Sequence, residues 1–295
     1  MSDAQLAMLL EQSKGNPPPQ NGDIQALRDW FEGLNAVFPM APETQVQRVN
    51  LGPCSADLLS SPDSDPGKLV IYYHGGGFIM GSAQCYNTIT SFLAQAGGVT
   101  VLSVDYRLAP ESPPPAGHED CLHAYQWALA QGYQPGQIAL AGDSAGGNLA
   151  LSTAVSISRL GLPQPAAMVA MSPALDLAND TESHTTLADA PLLNRAMSEL
   201  FLTVFIGDGD RRSPAVTPFY SPLPVLPPVL LHVGSTEMLR DDSVVVAERI
   251  RAAGGQAELK LWPGMCHSWQ LFAPALDEGM QSIVEAATFI RRYMD

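Results

Sequence analysis

Cysteine is scarce in this chain of 295 residues: Cys54, Cys85, Cys121 and Cys266 lie far apart and form no C-x-x-C pair, which argues against a disulfide framework or a zinc ribbon and for isolated thiols. Basic residues are also few, 15 Lys and Arg against 30 Asp and Glu, for a formal charge of -15. That balance excludes electrostatic docking on nucleic acid or an anionic membrane surface, because both need clustered positive charge. No apolar run approaches the roughly 18 uninterrupted residues of a transmembrane helix. The start, "MSDAQLAMLLEQSKG", lacks the basic opening and apolar block of a secretory signal, so a cytoplasmic location is expected. No internal repeat is present.

What the sequence does have is a 46% hydrophobic composition, enough for a substantial core, laid out as strand-length apolar runs alternating with helical patterns. That alternation is the mark of βαβ units and a mostly parallel sheet, an α/β fold. The predicted strands are Leu69–Tyr73, Thr100–Asp105, Gln137–Ala141, Ala167–Met171, Val229–Val233 and Ala257–Leu261. "VQRVNLG" and "ADLLSS" supply two further, antiparallel edge strands, for about eight in all. Helices are predicted at His118–Gln131, from Ala145 onward, at Ser243–Ala253, and in "DEGMQSIVEAATFIRRYM". Two stretches, about 1–45 and 180–218, break the alternation. Neither can form its own core, so a single domain over 1–295 with both folded as a helical cap is expected.

"QIALAGDSAGGNLAL" sets Gly142-Asp143-Ser144-Ala145-Gly146 between a predicted strand and a predicted helix, which is G-x-S-x-G in its required context. A serine there sits in a strained turn, with small neighbours that let strand and helix pack closely. The helix that follows offers free N–H groups at its positive end, among them that of Ala145, to an oxygen that becomes negative. A phosphate-binding loop is the competing reading, but the segment lacks the P-loop lysine and the G-x-G-x-x-G spacing.

A nucleophilic serine needs a histidine to take its proton and a carboxylate to orient that histidine. Of the six histidines, His118 and His123 lie about 140° apart on a helix and share no metal-binding face. His232 falls inside a strand and His184 in the cap, whereas His267 follows the last strand in "WPGMCHSWQLF". The acid should come between serine and histidine in the chain. "STEMLRDD" offers Glu237 as first choice in the loop after a strand, and Asp241 as runner-up at the approach to the next helix. Upstream, "KLVIYYHGGGFIMG" runs a strand into His74 and Gly75-Gly76-Gly77. Residues without side chains let the main chain approach a ligand, here the oxygen of a tetrahedral intermediate. His74 is read as a prop for this loop.

With HGGG at 74–77, GDSAGG at 142–147 and the acid and histidine in order, the chain resembles the hormone-sensitive-lipase-like esterases, bacterial family IV, of the α/β-hydrolase superfamily. "DYRLAPE", "PAGHEDC" and "SPALDL" are similar to segments that the family uses as scaffold. The resemblance implies Gly76 and Gly77 as oxyanion donors, Gly75 as the turn residue, and a cap built from the two irregular stretches. The family usually carries Asp-Pro-Leu-Arg-Asp, and here Glu237 stands at the first aspartate and Asp241 at the second.

The expectation is a carboxylic ester hydrolase that works on small uncharged esters of short to medium chain, with no cofactor or metal and with a homodimer left open as an alternative to the monomer. "FLTVF" and Met197 are candidates for either pocket lining or cap core. Alternatives are a non-catalytic receptor on the same fold, disfavoured by the presence of His267, or a small-substrate amidase or peptidase.

Overall fold

The apolar runs become eight strands of one sheet in the computed structural model, which describes residues 3–19 and 22–295. In chain order they are β1 (Gln45–Asn50), β2 (Ser55–Ser60), β3 (Asp65–Tyr73), β4 (Val99–Asp105), β5 (Ile138–Asp143), β6 (Ala167–Met171), β7 (Val229–Gly234) and β8 (Ala257–Trp262). Across the sheet the order is β1-β2-β4-β3-β5-β6-β7-β8. β2 is antiparallel to both neighbours, and all pairs from β4–β3 onward are parallel. This is the α/β-hydrolase fold.

The helices are α1 (Asp3–Lys14), α2 (Ile24–Asn35), α3 (Asn87–Gly97), α4 (Ala116–Ala130), α5 (Ala145–Arg159), α6 (Ser183–Thr186), α7 (Arg195–Ile206), α8 (Arg240–Ala252) and α9 (Asp277–Met294). They cover both faces of the sheet, so a central strand needs apolar residues at every position. Leu69, Ile71 and Tyr73 of β3 belong to the core cluster on one face, which also holds Tyr125 of α4, Leu149 of α5 and Ile250 of α8. The alternate residues, Val70 and Tyr72, pack with Leu93 of α3 and Ile283 and Phe289 of α9.

Two elements depart from the sequence reading. α3 was not anticipated: its β-branched opening in "NTITSFLAQAG" is poor in helix propensity, and its seven buried residues make the helix through tertiary packing. It stops at Gly98, which takes the left-handed conformation at φ 56°. α8 starts at Arg240 rather than Ser243, which brings Asp241 and Asp242 into its first turn.

α1 and α2 precede the sheet, and α6 and α7 lie between β6 and β7. α2 is capped by Asp23, whose side chain accepts from the N–H groups of Gln25 and Ala26; α7 is capped by Asn194, which accepts from Met197 N–H. Leu6 and Leu9 of α1 pack on Met265, Cys266 and Trp269, in the segment after β8. No helix among the described residues is long and apolar enough to cross a membrane.

Candidate active site

β5 ends and α5 begins at Ser144, whose backbone is held at φ 51° and ψ -119°. A non-glycine residue with that φ is strained, and close packing on both sides sustains it. A Cβ on Gly146 would lie 1.8 Å from the carbonyl oxygen of Tyr73, so only glycine lets α5 sit this near β3. Ser144 N–H donates to Met171 O at 2.9 Å, which ties the turn to β6.

Ser144 Oγ lies 2.9 Å from His267 Nε2, and His267 Nδ1 lies 2.7 Å from Glu237 Oε2. The carboxylate can only accept, so it selects the tautomer with a proton on Nδ1 and leaves Nε2 as acceptor for the serine hydroxyl. Glu237 is wholly buried, whereas Ser144 and His267 are each 9% exposed. A buried carboxylate needs donors. Besides His267, Glu237 accepts at Oε1 from Gly234 N–H at 2.6 Å and Ser172 Oγ–H at 2.8 Å. Ser172 Oγ in turn accepts from Ser268 N–H at 3.1 Å, so one serine clamps the acid and the loop that carries the histidine.

The runner-up acid points elsewhere. Asp241 pairs with Arg240 and accepts from Ser183 N–H; the Arg240 hydrogen bond holds its carboxyl below the ordinary range. Asp242 accepts from Leu175 N–H, Asp176 N–H and His184. Neither is hydrogen-bonded to His267.

Asp143 ties three segments together. Its Oδ1 accepts from Tyr72 OH at 2.9 Å and Gly75 N–H at 3.0 Å, and its Oδ2 from Tyr86 OH at 3.1 Å and Ser268 Oγ–H at 3.3 Å. Burial pushes its pKa up despite these bonds. Gly76 turns at φ 110°, and a Cβ there would lie 2.1 Å from Met80 O. Among the described residues the N–H groups of Gly76, Gly77 and Ala145 have no hydrogen-bond partner, while Ala145 is fully buried at the first position of α5. His74 is buried, donates from Nδ1 to Gly75 O at 2.7 Å and stacks on Tyr106 at 4.2 Å. Burial lowers its pKa.

Ser144, His267, Gly76 and Gly77 line a cavity of about 350 Å³ whose walls are mostly apolar and include residues of α1, α2 and α7. "FLTVF" divides between the two expected roles: Phe201 and Leu202 line the cavity, whereas Phe205 stacks on Phe78 at 4.0 Å in the core. Tyr72, Tyr86, Ser172 and Ser268 were not singled out in the sequence. Ser172 alone had a signal there, as the first residue of "SPALDL".

An α/β fold with a serine at a strand-to-helix elbow defines the class as an α/β hydrolase, and the family model described as "alpha/beta hydrolase fold" matches residues 70–271. The chain belongs to that family, and within it to the hormone-sensitive-lipase-like esterases. An acetyl-hydrolase of Streptomyces hygroscopicus is 35% identical over 292 residues, which is 99% of this chain and 97% of that one. An esterase of Acinetobacter venetianus is 32% identical over 287 residues, or 95% of this chain and 93% of its own. The crystal structure of an esterase from the bacterial hormone-sensitive lipase family superposes with a TM-score of 0.94 at 36% identity, covering 99% of this chain and 98% of the other.

Proposed function

We propose that the protein is a carboxylic ester hydrolase in which Ser144 is the nucleophile, His267 the general base and acid, and Glu237 the residue that orients and charges-balances the imidazole. The observation that carries this reading is the hydrogen-bonded row from Ser144 through His267 to the buried Glu237, opening on an apolar cavity. Ser144 Oγ attacks the ester carbonyl as its proton passes to His267 Nε2. The carbonyl oxygen becomes an oxyanion held by the N–H groups of Gly76, Gly77 and Ala145, each such donor being worth roughly 2.7–4 kcal/mol in the transition state. The tetrahedral intermediate collapses, the C–O bond to the alcohol breaks, and His267 gives the alcohol its proton. Water then attacks the acyl-enzyme by the same route, which releases the acid and restores Ser144–OH.

Asp143 and His74 act as positioning residues: one ties the glycine loop to the elbow and the histidine loop, and the other braces the glycine loop from behind. The two segments outside the alternation, about 1–45 and 180–218, form the cap of a single-domain enzyme. The cavity they help to line suits short- to medium-chain acyl groups, since apolar ligands of that size fit an apolar cleft. A p-nitrophenyl ester series tests this. Turnover should peak at or below about ten carbons, and a peak beyond that length would contradict the chain-length reading.

A further inference from the structure

Three consecutive residues of the loop after β3 turn through positive φ: Gly76 at 110°, Gly77 at 61° and Phe78 at 65°. Glycine takes such angles freely, but a bulky aromatic residue does not, so Phe78 is strained directly beside the oxyanion glycines. Strain of this kind persists only where the surroundings impose it. The body of the fold anchors the loop through Asp143, which accepts from Gly75 N–H, and through Ala109 N–H, which donates to Phe78 O at 3.0 Å.

The cap adds contacts from both of its segments. Arg28 of α2 donates from Nε to Ile79 O at 2.8 Å. On α7, Phe201 and Phe205 stand one helical turn apart and share a face. Phe205 lies flat on Phe78, with ring centroids 4.0 Å apart and planes 10° from parallel, and both rings are buried. Phe201 covers Gly77: a Cβ on that glycine would fall 2.8 Å from Phe201 Cδ2 and 3.0 Å from Phe201 Cβ. Phe201 also lines the cavity, whereas Phe205 does not. Phe205 therefore touches the oxyanion loop without touching the space that holds substrate.

We propose that Phe205 is a positioning residue for the oxyanion hole: its ring holds Phe78 in the strained turn and so sets the direction of the Gly76 and Gly77 N–H groups, while Phe201 presses on Gly77 itself. The cap then helps to stabilise the transition state as well as to line the pocket. This rests on the ester-hydrolase reading above. Donors that must meet an oxygen as it becomes charged do more for the transition state than for the bound ester, so a loosened loop lowers kcat and kcat/KM together.

The test is Phe205→Leu, assayed on p-nitrophenyl butyrate and with two ketone inhibitors. A trifluoromethyl butyl ketone accepts Ser144 Oγ at its carbonyl carbon as the serine proton passes to His267, which leaves a hemiketal oxyanion in the hole. Methyl butyl ketone fills the same space as an unreacted ligand. In Phe205→Leu, kcat and kcat/KM should both fall about tenfold, less than the loss of about a hundredfold or more for an oxyanion donor removed outright. The inhibition constant of the trifluoromethyl ketone should rise by the same factor, and that of methyl butyl ketone should not change. In a Phe78→Leu background, where the stack is already gone, Phe205→Leu should cost less than about twofold. Leu200→Ala, on the exposed side of α7, should stay within about twofold of the wild type.

A folded Phe205→Leu with unchanged kcat overturns the positioning role, as does a rise in KM alone or equal weakening of both ketones. So does a full tenfold loss in the Phe78→Leu background, or an equal loss in Leu200→Ala. If Phe205→Leu does not fold, Phe205→Met keeps an apolar side chain without the ring and is read by the same outcomes. A wild type that hydrolyses no p-nitrophenyl ester overturns the ester-hydrolase reading, and this inference with it.

Discussion

Glu237 shows how far single residues can be read from the chain. Its position between serine and histidine was legible as order, but Asp241 fitted the same order four residues later. What separates them is tertiary: Gly234 N–H and Ser172 Oγ–H converge on Glu237, whereas Arg240 and Ser183 occupy Asp241. No local pattern records those partners. Glu237→Gln keeps the size of the side chain but removes the charge and permits the wrong imidazole tautomer, as with the amide replacement in serine proteases, so kcat for p-nitrophenyl butyrate should drop by about three to four orders of magnitude. Asp241→Asn should stay within about threefold of the wild type, since the reaction does not use its charge. A steady-state comparison of the two checks this; comparable losses in both would return the assignment to an open question.

At the scale of elements, strands and helices that alternate cleanly were readable because burial on one or both faces imposes a period on the sequence. α3 was not, because its β-branched opening is a poor helix former and packing overrides it. Nor was the packing of α1 on the segment leading to His267, which depends on where β8 ends in space rather than on either sequence alone. α4 carries a consequence of such packing. His118 was read as an ordinary helix histidine, and it stands half-buried beside Phe78 and Phe205, with ring centroids 6.1 and 6.3 Å away and both ring nitrogens shielded from solvent.

Burial lowers the His118 pKa from 6.5 to about 4. Between those values the unfolded chain binds a proton that the folded chain refuses. The contribution to stability is therefore complete above about pH 6.5 and declines as pH falls toward 4, by an amount on the order of 3 kcal/mol. His74 and His232 shift in the same direction, again through burial. In His118→Phe, which keeps an aromatic ring in the stack, the fall in Tm between about pH 7 and about pH 5 should be smaller than in the wild type. Thermal melts at the two pH values decide it, and an undiminished fall would mean that the proton is taken up elsewhere.

For the whole molecule, the fold class was legible because a parallel sheet needs apolar strands spaced by crossovers, and the sequence supplies them from residue 69 onward. The order of the strands in space was not, because it is fixed by which helix covers which face. The sheet delivers Gly76, Ser144, Glu237 and His267 from the ends of four different parallel strands, β3, β5, β7 and β8, to one edge. The central claim is that this edge makes Ser144 a nucleophile. Peptide mass analysis after reaction with a p-nitrophenyl alkylphosphonate tests it most directly. The account predicts one phosphonyl group per chain, on Ser144, and none in His267→Ala; full ester turnover by a chain whose Ser144 stays unlabelled would contradict it.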